Sequence, residues 1–98
     1  MLRVLLAALL SFASLASVSA STWTEVKPTE SPQYWYDITS SSDGTKLAAT
    51  AYLGGNIWTS TDSGETWTSR ASAQYWWDIT SSSDGTKLAA TADGGNIW

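Results

Sequence analysis

Tyr34 to Ala51 reads YWYDITSSSDGTKLAATA, and Tyr75 to Ala92 reads YWWDITSSSDGTKLAATA; the two stretches differ only at Tyr36 against Trp77. Their aspartates, Asp37 and Asp78, stand 41 residues apart. Past Ala51 and Ala92 the copies diverge by one deletion, Tyr52-Leu53 against Asp93. They rejoin as Gly-Gly-Asn-Ile-Trp, ending at Trp58 and Trp98. Self-similarity at such a period marks a repeat architecture, in which each unit buries its apolar face against the next.

Each copy reads as a run of short strands. Trp35 to Ser40 alternates, which places Tyr36, Ile38 and Ser40 on one face and Trp35, Asp37 and Thr39 on the other. Ser42-Asp43-Gly44-Thr45 reads as a turn, because Asp-Gly tolerates the positive φ of a tight hairpin. Lys46 to Ala51 resumes as a strand with Leu47, Ala49 and Ala51 on one side. Gly54-Gly55 turns the chain again, Asn56 to Ser60 forms the next strand, Thr61 to Glu65 a further turn, and Thr66 to Arg70 a fourth strand. β-Branched and aromatic residues dominate and Gly recurs every several residues, so helix is not expected. Four antiparallel strands in about 40 residues match one blade of a β-propeller, and alanine-lined strands let neighbouring sheets approach while Trp and Tyr fill the wider gaps. A β-sandwich or an open solenoid is the competing all-β arrangement.

Outward from the repeat, the N-terminus has a different character. Met1-Leu2-Arg3 leads into an apolar run from Val4 to Leu10, and small residues end in Val18-Ser19-Ala20. One positive charge, a short apolar stretch and small residues before a cut after Ala20 are the layout of a secretory signal peptide. The apolar stretch is shorter than the roughly 20 residues that span a bilayer. Residues 1–20 are therefore expected to be removed on export, leaving 21–98 as a secreted repeat region. Within it, a blade covers 34–70, a partial blade 75–98, and a leading strand 22–27. That region carries four cations (Lys27, Lys46, Arg70, Lys87) against nine acids. An acidic chain without a basic cluster attracts neither nucleic acid nor anionic lipid. The chain has no cysteine, so disulfides cannot supplement a thin core, and stability has to come from packing of repeat on repeat.

Ser60-Thr61-Asp62-Ser63-Gly64-Glu65-Thr66-Trp67 carries Ser, Asp, Gly, Thr and Trp at the fixed positions of Ser-x-Asp-x-Gly-x-Thr-Trp. As chemistry, this is a hairpin turn: Asp62 accepts hydrogen bonds from the turn's own amides, Gly64 supplies a positive φ, and Trp67 packs under the loop. The octet resembles the Asp-box, or BNR repeat, of sialidases and other propellers. The surrounding repeat is similar to sialidase-like propellers and to the photosystem II assembly and stability factor family. Thr22-Trp23-Thr24 resembles Thr66-Trp67-Thr68, as though the N-terminal segment were the last strand of a blade. The resemblance implies an all-β propeller with one complete and one incomplete blade. Either the chain is the front of a longer propeller, or several copies assemble into one ring. It also implies that Ser60, Asp62, Gly64, Thr66 and Trp67 are structural, lying at the outer edge away from a binding face.

The residues argue against catalysis. The sialidases that the octet resembles clamp a carboxylate with three arginines and attack with a tyrosine paired to a glutamate; residues 21–98 offer Arg70 alone. There is no His and no Cys for a catalytic triad or a zinc site, so no metal and no cofactor is expected. Asp37 and Asp78 recur at one repeat position, which suits a structural hydrogen-bonder better than a catalytic acid, and Asp43 and Asp84 belong to turns. Gly54-Gly55 and Gly94-Gly95 lack the Lys and Ser/Thr of a phosphate loop. Binding is open. Trp35, Tyr36, Trp76 and Trp77, with Tyr34 and Tyr75 beside them, are either inter-blade core or a platform on which sugar rings stack. The expected function is a non-catalytic scaffold or interaction module with a protein or carbohydrate partner. An oligomeric lectin of two-blade chains and the front piece of a larger propeller are the alternatives.

Overall fold

The computed structural model describes residues 22–29 and 31–98, so the leader expected at 1–20 lies outside the described residues. Among the described residues the chain is all-β and contains no helix. It forms two antiparallel sheets. The first is a four-stranded meander of β1 (Tyr34–Ser40), β2 (Leu47–Tyr52), β3 (Ile57–Ser60) and β4 (Thr68–Ser69), in that spatial order. The second pairs β5 (Trp76–Ser81) with β6 (Leu88–Ala92). A third edge begins beside β6, where Thr91 bridges Ile97 and Ala90 exchanges both main-chain bonds with Trp98 at 2.9 Å. Neither sheet closes on itself.

Strand positions follow the alternating apolar pattern, but the alternation is broken by a bulge. In β1, Trp35 pairs with Ala51 and Asp37 with Thr50, so Tyr36 is the extra residue. Cross-strand partners share a face. Trp35 therefore joins Ile38, the partner of Ala49, while Asp37 stays with Thr39 on the other face. Strict alternation puts Trp35 with Asp37; the inserted Tyr36 separates them. β5 repeats the irregularity between Trp76 and Ile79.

β4 is shorter than the expected strand from Thr66 to Arg70. Thr66 is held in the preceding turn, its amide donating to Asp62 Oδ1 at 2.8 Å, although Arg70 N still reaches Ile57 O at 2.8 Å. Residues 22–27, expected as a strand, make no ladder with either sheet. Val26 and Pro28 instead line a groove on the first sheet together with Trp35 and Ile38.

The two sheets lie face to face. Ala48 and Ile57 of the first meet Trp76, Ile79 and Ala90 of the second, all buried, and Ala71 and Ala92 pack at the margin. Alanines at positions 48 and 90 keep the sheets close enough for polar bonds to cross between them. Asp37 Oδ2 accepts the amide of Ile79 at 2.9 Å, and the fully buried Thr50 hydroxyl donates to the carbonyl of Trp77 at 2.6 Å. Ser42 N donates to Ser83 O at 2.7 Å and Lys46 Nζ to Asp84 O at 3.0 Å. The Asp37 and Thr50 bonds satisfy an amide and a carbonyl, of Ile79 and Trp77, at the register shift of β5. Left unmet in a buried seam, each such group costs about 1–3 kcal/mol.

Candidate functional site

Three turns share one construction, in which an aspartate is ringed by hydroxyls and an amide. Asp43 Oδ1 accepts from Thr45 N at 3.0 Å, from the Ser41 hydroxyl at 2.7 Å and from the Thr45 hydroxyl at 2.8 Å. Asp84 is held in the same way by Thr86 N at 3.0 Å, the Ser82 hydroxyl at 2.7 Å and the Thr86 hydroxyl at 2.8 Å. In the turn from Ser60 to Trp67, Asp62 takes the Thr66 hydroxyl and amide and the Ser60 hydroxyl. Gly64 has φ +91°, and its amide donates to Ser60 Oγ at 2.9 Å. The Trp67 indole N–H caps the Gly64 carbonyl at 2.9 Å. The five positions Ser60, Asp62, Gly64, Thr66 and Trp67 are thus wired to one another inside a single turn.

Donors aimed at a carboxylate stabilise its ionised form. The Thr45 amide first, then the Ser41 and Thr45 hydroxyls, lower Asp43 to about 2. The Thr66 hydroxyl and amide and then the Ser60 hydroxyl lower Asp62 to about 2. The Thr86 amide followed by the Ser82 and Thr86 hydroxyls does the same for Asp84, to about 2. A carboxylate in that state carries no proton at neutral pH and has its lone pairs engaged, so it is a poor general acid or base. Among the described residues no three His, Cys, Asp or Glu side chains converge as metal ligands, and no helix is long and apolar enough to cross a membrane.

The aromatic residues divide into two sets. Trp76 is core: it is buried between the sheets, donates its indole N–H to Ser72 O at 3.2 Å and meets Trp98 edge-on at 6.0 Å. It cannot serve as an external stacking platform. Trp35, its equivalent in the first copy, is exposed on the outer face of the first sheet, apart from the seam.

The remaining two expected residues come together. Tyr36 and Trp77, the one mismatched pair of the repeat, have ring centroids 5.3 Å apart and planes at 42°. Tyr52 stands 6.1 Å from Tyr36 and 6.2 Å from Trp77, nearly perpendicular to the latter, and Tyr75 closes the group edge-on at 5.4 Å from Tyr52. Four rings thus form a contiguous patch where the two bulges meet. Tyr36, Tyr75 and Trp77 are each exposed, and Tyr52 is half-buried among them.

Tyr52 was not legible as a member of the patch. It lies in the segment where the copies differ, so the repeat gives it no counterpart. The available signal was its place at the end of β2, directly opposite Tyr34.

Comparison with protein-family models, with curated proteins and with solved structures finds no match.

Proposed function

We propose that the chain is a secreted, non-catalytic β-propeller-type repeat module whose role is to present an interaction surface. The observation that carries this reading is the ring patch of Tyr36, Tyr52, Tyr75 and Trp77. Four large aromatics gathered at a junction and left partly in water suit recognition better than core packing. The propeller assignment is supported by the duplicated strand pattern, by the four-stranded meander of the first sheet and by the Asp-box-like turn from Ser60 to Trp67. The non-catalytic reading is supported by the three turn carboxylates, which are held ionised and occupied by their own loops. Secretion is supported by the layout of residues 1–20.

Carbohydrate is the ligand class that the patch favours. Sugar rings present C–H faces that stack on indole and phenol rings, and the flanking hydroxyls of tyrosine offer polar contacts at the rim. The experiment is a glycan array probed with the full chain, followed by titration of any hit against Trp77→Ala and Tyr52→Ala. Binding that falls at least about tenfold in both variants, equivalent to about 1.4 kcal/mol, supports the reading. Silence across the array, or binding indifferent to both substitutions, removes carbohydrate as the ligand of this patch.

A further inference from the structure

The interior seam is built from two different faces, and each of those faces occurs a second time on the outside of the molecule. The second sheet meets the first through Trp76 and Ile79, which are 1% and 6% exposed. Their equivalents on the outer face of the first sheet are Trp35 and Ile38, which are 43% and 60% exposed. The first sheet meets the second through Asp37, Ala48, Thr50 and Ile57. The equivalents on the outer face of the second sheet are Asp78, Ala89, Thr91 and Ile97, all exposed. Ile57 is 8% exposed and Ile97 80%.

We infer that these outer faces are the two halves of one head-to-tail interface, and that the occupant of each is a second copy of this chain. The existing seam states what covers such a face: a sheet carrying the same residues in the same register. Asp78 of one copy would accept the Ile38 amide of the next, as Asp37 accepts Ile79. In the single chain the Ile38 amide turns back to its own Asp37 Oδ1 at 2.8 Å, whereas Ile79 bonds across the seam. Thr91 would donate to the Tyr36 carbonyl as Thr50 donates to Trp77. The receiving groove, about 330 Å³, is lined by Trp35, Ile38 and Ala49 together with Val26, Pro28 and Trp67. Ala89, like Ala48, is small enough to let the second sheet approach. The interface is heterologous, so copies join through unlike faces. It rests on the stacking of the two sheets and stands whatever ligand the aromatic patch takes.

The test is light scattering, over a concentration series, on the protein that a secreting host exports when it expresses the full 98-residue sequence. The wild type associates. Ile38→Arg and Ala89→Arg alter one exposed position each, one per face, and each alone is monomeric with an unchanged far-ultraviolet circular dichroism spectrum. Mixed in equal amounts they form 1:1 dimers and nothing larger, because each retains the face that the other has lost. Asp78→Ala, which removes only an exposed carboxylate, raises the dissociation constant about tenfold or more. A wild type that stays monomeric at every soluble concentration would overturn the inference. So would a mixture of the two arginine variants that remains monomeric, association abolished by only one of them, or an unchanged constant in Asp78→Ala.

Discussion

The carboxylate of Asp37 accepts the main-chain amide of Ile79 at 2.9 Å across the junction of the two sheets, while Asp78, at the same place in the second copy, faces solvent. One repeat position thus carries two different burdens. Asp37→Ala leaves a buried amide without an acceptor and is expected to lower stability by about 1.5–3 kcal/mol, the range for a hydrogen bond to a charged group. Asp78→Ala is expected to change it by less than about 0.5 kcal/mol at concentrations where the chain is monomeric. Urea denaturation followed by tryptophan fluorescence compares the two. Equal effects would mean that the aspartates act within their own sheets.

The turn carboxylates make a prediction about acid. Asp43, Asp62 and Asp84 have folded values of about 2 against an ordinary 3.8. A group whose folded value lies below its unfolded one releases its proton more readily when folded, so its contribution is complete above the unfolded value and fades as pH falls through the folded one. Stability is therefore expected to hold down to about pH 4 and to decline toward pH 2. Carboxyl carbon NMR should find these three aspartates titrating near the bottom of that window. Midpoints at the ordinary value would show that the hydroxyl and amide donors do not hold them.

The glycines of the second turn separate the copies. A Cβ on Gly55 would lie 2.4 Å from the Cβ of Ala51, a fully buried residue, and 2.8 Å from its carbonyl oxygen. On Gly95 the nearest atom, Ala92 Cβ, is 3.3 Å away. Gly55→Ala is expected to cost about 1–3 kcal/mol through overpacking. Gly95→Ala should cost about 0.5 kcal/mol or less. Thermal denaturation of the two variants reads the difference directly, and a Gly95 effect as large as that of Gly55 would contradict the close approach at Ala51.

How far the sequence reveals this arrangement depends on the residue. The strands β1, β2, β5 and β6 and their turns were legible because apolar alternation and Asp-Gly or Gly-Gly punctuation are local signals, and each occurs twice. The turn from Ser60 to Trp67 was legible because its hydrogen bonds run within eight consecutive residues. The bulge at Tyr36 was not, since an inserted residue leaves no mark on composition and only shows when the partner strand fixes the register. The different fates of Trp35 and Trp76 were illegible for a stronger reason: near-identical local sequences give identical local readings. Which copy is buried is decided by its neighbour in the stack. The ring patch was half visible. Tyr36 and Trp77 stand out as aromatic, but the gathering of four rings depends on where the two bulges meet and on Tyr52, which has no counterpart in the second copy.

The claim beneath all of this is that the two sheets form one cooperative body, each completing the other. Native-state amide hydrogen exchange at Ile79 tests it most directly, because that amide bonds to a carboxylate of the other sheet. The account predicts that Ile79 exchanges only with global unfolding, at the same free energy as the amides of β2, and loses that protection in Asp37→Ala. Exchange at Ile79 as fast as at a solvent-exposed amide, while β2 stays protected, would contradict it.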